Sequence, residues 1–210
     1  MEKSRTIFID IQCFDELKLL IKKLNLKPND KVYFVDLINK PKSYKVLKYM
    51  YKNKHRFYSV KNHELNFLRW LKETYNNDKD FKNLKKKIEK NKTHYLIKYI
   101  EELPLYIEKK DFLLIHGLIP NKIVTELTED EITRTRDIKK PWYKYYTNKK
   151  IIYHWAEDSL QINKKTKLDS CVYKALTAYI LETEEVIQQN ALDVYINVYK
   201  KNWIIKRIFN

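Results

Sequence analysis

Asp10, Asp36, Asn62, His116 and His154, with His63 beside Asn62, are the residues of this 210-residue chain best suited to chemistry. Each ligand candidate ends, or closely follows, a short apolar run: Thr6–Ile9, Val32–Val35, Phe57–Val60, Phe112–Ile115 and Ile151–Tyr153. Carboxylate, amide and imidazole together make an oxygen-and-nitrogen donor set suited to Mn, Zn, Fe or Mg. Any one of these residues alone reads as a strand-end polar group facing water. Five in succession read as one metal site.

The elements that must position them follow from the spacing. Short runs of β-branched and aromatic residues suit buried strands. Strands of one sheet end at a common edge, where α/β proteins place their ligands. Residues 14–25 set Leu17, Leu20, Ile21 and Leu24 at helical spacing behind Asp15 and Glu16, which predicts an amphipathic helix. Residues 42–53 repeat the pattern through Val46, Leu47 and Met50, and a third helix is expected from His63 to about Tyr75. Strand and helix alternate, an α/β opening.

Residues 76–93 are highly charged with sparse apolar anchors, which predicts a solvent-facing helix or an inserted cap. The run Lys85-Lys86-Lys87 within it reads as a solvated face; its functional counterpart would guide a polyanion. His94–Leu103 reads as a further helix, stopped by Pro104. Strands are expected over 111–116, 149–154, 167–173, 175–182 and 185–190.

The words around the ligand candidates resemble those of the calcineurin-like metallophosphoesterases. They are most similar to the symmetrical bis(5′-nucleosyl)-tetraphosphatases of bacteria and their protein-phosphatase cousins. Ile9-Asp10-Ile11-Gln12-Cys13-Phe14-Asp15-Glu16-Leu17 resembles the family's opening metal word. Val35-Asp36-Leu37-Ile38-Asn39-Lys40-Pro41 resembles its GDL word, and Asn62-His63-Glu64 its GNH word. His116-Gly117-Leu118-Ile119-Pro120, His154-Trp155-Ala156 and Leu168-Asp169-Ser170-Cys171-Val172-Tyr173 complete the set, in family order over roughly residues 5–195.

The resemblance implies a four-layer α/β/β/α sandwich with a helical, Lys-rich insert at about 76–103, a domain over 1–195 and a basic apolar tail over 196–210. It implies two divalent ions, Mn above all, with Mg, Fe, Zn or Co as alternatives. Asp10 and Gln12 would hold one ion, Asn62, His116 and His154 the other, and Asp36 would bridge them. His63 would be the general acid. Asn39 stands where many relatives orient that histidine with Asp, and carries no charge. Lys40, Arg134 and Arg136 would bind phosphate, and Trp155 would stack on a base or pack in the core.

One departure is systematic. The chain has one glycine, Gly117, where an average chain of this length has about 15. The family's glycines are absent before Asp10, after Gln12, before Asp36, after Lys40, before Asn62, before His154 and before Cys171. Those positions are tight strand-to-loop turns that need φ > 0 or close backbone approach. Independent deletion at seven turns is an implausible history. We read it as glycines of the natural molecule missing from this sequence. An intact mass above 25.8 kDa supports that, and a mass equal to it leaves a degenerate fold.

Composition bounds the rest. Hydrophobic residues at 44% with 14% aromatics support a folded core, and 210 residues suit one domain. No 18-residue apolar stretch or signal-peptide apolar region is evident, so a cytoplasmic protein without a transmembrane segment is expected. Two cysteines, Cys13 and Cys171, give no disulfide framework. The net charge of +16 fits AT-rich coding and also attracts polyphosphates or RNA 5′ ends. The expected reaction is hydrolysis of dinucleoside polyphosphates, diadenosine tetraphosphate giving two ADP, with nucleotide-capped RNA 5′ ends as a further substrate. A protein phosphatase on the same scaffold and a metal-free basic binding module are the alternatives. The oligomeric state is open.

Overall fold

The computed structural model describes residues 3–11, 13–38, 42–72, 79–116, 124–134, 149–153, 165–167, 175–190 and 192. Its elements run β1 (Thr6–Asp10), α1 (Phe14–Leu24), β2 (Lys31–Val35), α2 (Ser43–Lys52), β3 (Phe57–Ser59), α3 (His63–Leu71), α4 (Lys79–Lys90) and α5 (Tyr95–Glu102). They continue with β4 (Tyr106–Glu108), β5 (Phe112–Ile115), a 3-10 turn (Val124–Glu126), α6 (Glu129–Arg134), β6 (Lys150–Tyr153), β7 (Lys165–Lys167), β8 (Ala175–Ile180) and β9 (Glu185–Asn190). The architecture is mixed α/β. The chain forms two compact units, one of residues 1–58 with 169–210, the other of residues 59–168.

The first unit carries a five-stranded sheet in the order β3-β2-β1-β8-β9. β1 and β2 are parallel, with Ile7 opposite Val32 and Asp10 opposite Val35. Ile7, Phe8, Ile9, Val32, Phe34 and Val35 are all buried, the continuous apolar run that a strand covered on both faces needs. α1 buries Leu17, Leu20 and Leu24, and α2 buries Val46, Leu47 and Met50, as their spacing predicts. β8 runs antiparallel to both β1 and β9, and is buried along its whole length.

Arg5 ties the start of this sheet to the end of α1. Its guanidinium reaches Asp30 from Nε at 3.0 Å and Nη2 at 2.5 Å, and also donates to the carbonyls of Leu24 and Asn25. Backbone N–H groups of Arg5 and Lys27 complete the shell around the Asp30 carboxylate.

The second unit carries a four-stranded sheet in the order β4-β5-β6-β7. β5, β6 and β7 run parallel, and β4 is antiparallel to β5. Leu113, Ile115 and Ile151 of this sheet pack with Val124 and Ile132 in one apolar cluster. α4 is half lysine, yet it buries Phe81, Leu84 and Ile88 at positions i, i+3 and i+7, enough to hold it down. Arg69 of α3 reaches Glu129 Oε1 at 2.7 Å and Asp130 Oδ1 at 2.9 Å, fixing α6 to α3.

Three elements were not foreseen: β4, too short at three residues to show alternation, the 3-10 turn before α6, and the six-residue α6 itself. The expected strand over 167–173 meets β7 only at Lys167, and the rest of that segment lies outside the described residues. So does the tail over 196–210.

Candidate metal centre

In the first unit, Asp10 ends β1 and Asp36 follows β2 directly. Because Asp10 pairs with Val35, the two carboxylate residues leave adjacent parallel strands at the same edge. Both are buried, Asp10 at 0% and Asp36 at 1% exposure. Burying a carboxylate is costly unless it is paired, hydrogen-bonded or bound to a cation. Asp36 has φ 58°, in the left-handed region. No glycine precedes this residue in the sequence, and Asp36 itself takes the turn. Asp is among the few residues that tolerate it.

Glu16 sits among the apolar positions of α1, four residues before Leu20, and is fully buried. It accepts the backbone N–H of Leu192 at 3.0 Å.

In the second unit, Asn62 and His63 stand at the start of α3, and His116 follows β5. Asn62 occupies the N-cap position, but its side chain makes no cap hydrogen bond. Its Nδ2 lies instead 2.9 Å from Nε2 of His116. Both residues are buried, at 5% and 3% exposure. The His63 ring is half-buried, its centroid 6.2 Å from that of His116 and nearly perpendicular to it.

This pair fits a divalent ion. Turning the Asn62 amide over exchanges Nδ2 for Oδ1, a metal donor, in the same place. Two neighbouring ligands of an octahedral ion with bonds of about 2.1 Å stand about 3 Å apart, close to the 2.9 Å found here.

Glu64 is the residue that the sequence named only as part of a word. It is fully buried and accepts the Asn62 backbone N–H at 2.9 Å. Burial first, and then the negative charge of Glu64, push the phenol of buried Tyr99 on α5 upward. The available signal was position: Glu64 lies three residues before Phe67, on the apolar face of α3.

Gln12, Asn39, Lys40, Arg136, His154 and Trp155 lie outside the described residues. Arg134 is the last residue of α6. Tyr153, which precedes His154, is in register with Ile115, which precedes His116.

The chain is similar in fold to a hypothetical protein from Pyrococcus horikoshii OT3 known from a crystal structure. The TM-score is 0.58 at 12% identity, over 95% of this chain and 93% of that one. No protein-family model matches the chain, and no curated protein does.

Proposed function

We propose that the chain is a two-metal phosphoesterase with the four-layer sandwich of the metallophosphoesterases, acting on dinucleoside polyphosphates. The observation that carries it is the buried contact of Asn62 with His116, 2.9 Å between an amide and an imidazole that the family resemblance would give to one ion. Buried Asp10 and Asp36, at one edge of the other sheet, support it.

Two divalent ions, manganese by preference, would be held by Asp10, Gln12, Asp36, Asn62, His116 and His154. Bound ions of this kind supply positive charge at phosphoryl oxygens and a water made acidic enough to attack. The chain's own groups do the rest. His63 donates a proton to the leaving phosphate oxygen, a contribution of about 10²–10⁴-fold. Lys40, Arg134 and Arg136 neutralise the polyphosphate, and Trp155 takes a base. Asn39, where many members of the resembled family carry Asp, would add no charge to favour the protonated His63 ring. Diadenosine tetraphosphate would give two ADP, and the same chemistry would open a dinucleotide cap on RNA.

The test is manganese-dependent hydrolysis of diadenosine tetraphosphate, with products resolved by chromatography and His63→Ala and Asp36→Asn as controls. ADP as the only product, lost in both variants, supports the proposal. Metal-dependent cleavage of a phosphopeptide without dinucleotide turnover would move the chain to the protein-phosphatase branch. Silence on every substrate, with no metal bound, would leave a basic binding module.

A further inference from the structure

The outer face of α4 is rich in lysine. Its twelve residues hold six lysines against two acids, a balance of +4. One of the acids, Glu89, lies 3.9 Å from Lys85. Phe81, Leu84 and Ile88 mark the buried side. On the opposite side Lys79, Lys82, Lys86 and Lys90 form one exposed stripe. From Lys82 onward its charges recur every four residues, about 6 Å along the axis at 1.5 Å per residue.

An exposed aromatic follows the stripe closely in the chain. After Lys90 the chain turns through Asn91 and Lys92, and α5 opens with Tyr95, which is 41% exposed. Among the described residues only Leu19, Tyr95 and Val186 are large hydrophobics so exposed.

We propose that this stripe with Tyr95 is a docking surface for single-stranded nucleic acid, phosphates along the α4 lysines and a base on the Tyr95 ring. Regularly spaced lysines bind a phosphate backbone as point charges and read no sequence. A stacking ring needs an unpaired base, so a single strand fits better than a duplex. A membrane surface fits worse, because every apolar residue of α4 faces inward and none is left to enter lipid. The surface stands whether or not the chain hydrolyses phosphoanhydrides, since binding alone reports it.

The experiment is fluorescence anisotropy of labelled oligouridylate and oligothymidylate on the full chain across a salt series. The K82Q/K86Q/K90Q triple is compared with K18Q/K22Q/K45Q, which removes the same charge from exposed lysines of α1 and α2. The α4 triple should weaken binding at least tenfold and reduce the slope of log affinity against log salt by about 2, at about 0.7 per phosphate contact. The control triple should change both much less. Tyr95→Ala should cost roughly tenfold more and Tyr95→Phe little, the mark of stacking. Circular dichroism confirms that each variant is folded. Equal losses in the two triples would overturn the proposal, because net charge alone would then explain the binding. Failure to bind either oligonucleotide, or capture of phosphatidylserine vesicles through the same lysines in place of them, would also overturn it.

Discussion

The Asn62 amide and the His116 imidazole meet at 2.9 Å across 54 residues of sequence. Asn is among the best N-cap residues, and its side chain normally bonds the first turn of its helix. Asn62 makes no such bond. It gives up local helix stabilisation for a contact with His116. A pair that shares one ion should behave as a unit. We expect Asn62→Ala and His116→Ala each to lower manganese affinity by about 10²-fold or more, at or above the upper end of what changing an outer-shell partner costs. The double variant should lose little more than either single one. Calorimetric titration of all three with manganese checks this. Fully additive losses would mean that the two side chains serve no common ion.

Glu64 holds the other end of this arrangement, through the Asn62 backbone N–H at 2.9 Å. Removing a buried acceptor strands its donor at about 1–3 kcal/mol. Glu64→Ala should therefore destabilise the chain by that amount in denaturant melts and weaken manganese binding by about 10–100-fold. Glu64→Gln keeps an accepting oxygen and should recover most of both. If Gln behaves like Ala, the charge of Glu64 matters and the hydrogen bond does not.

Much of the frame was legible in the residues. The buried strands showed as apolar runs, and α1, α2 and α5 as helical spacing, because both periods are local properties. Asp10, Asp36, Asn62 and His116 stood out because each adjoins such a run. What escaped was short or non-local. β4 has three residues and exists through its pairing with β5. The burial of Glu16 and Glu64 runs against their charge, and each is accounted for by a backbone N–H that sequence does not reveal. The anchoring of α4 was underestimated because three apolar residues at the right spacing outweigh the lysines between them.

Asp30 gives a pH prediction. Burial alone would raise its pKa, but hydrogen bonds from Arg5 and the backbone of Lys27 and Arg5, with the Arg5 charge, hold it below the usual value. A carboxyl whose folded pKa is depressed adds stability that is complete above the unfolded pKa, about 3.9. That stability is lost as pH falls through the lower folded pKa. Melting temperature should thus fall below about pH 4 with a contribution from Asp30 that Asp30→Asn removes. At neutral pH, Arg5→Met should cost about 2–3 kcal/mol, for it leaves a buried carboxylate without its cation. An unchanged acid limb in Asp30→Asn would refute the assignment.

The shortage of glycine has a mechanical consequence that can be relieved at two places. α4 closes with the N–H of Thr93 on the Ile88 carbonyl at 3.0 Å and the N–H of Lys92 on the Glu89 carbonyl at 3.0 Å. This is a Schellman closure, in which glycine normally takes the left-handed position. Here Lys92 takes it, with φ 51°. A residue with a Cβ meets a cost of roughly 1–2 kcal/mol in that conformation. Lys92→Gly should recover about 1 kcal/mol in denaturant melts after the entropy of the unfolded glycine is counted. It should leave manganese binding unchanged. Inserting a glycine between Val35 and Asp36 makes the opposite prediction. It moves the left-handed turn off Asp36, whose φ is 58°, and should raise manganese affinity. If the insertion lowers manganese affinity, the left-handed turn at Asp36 is the geometry this site uses.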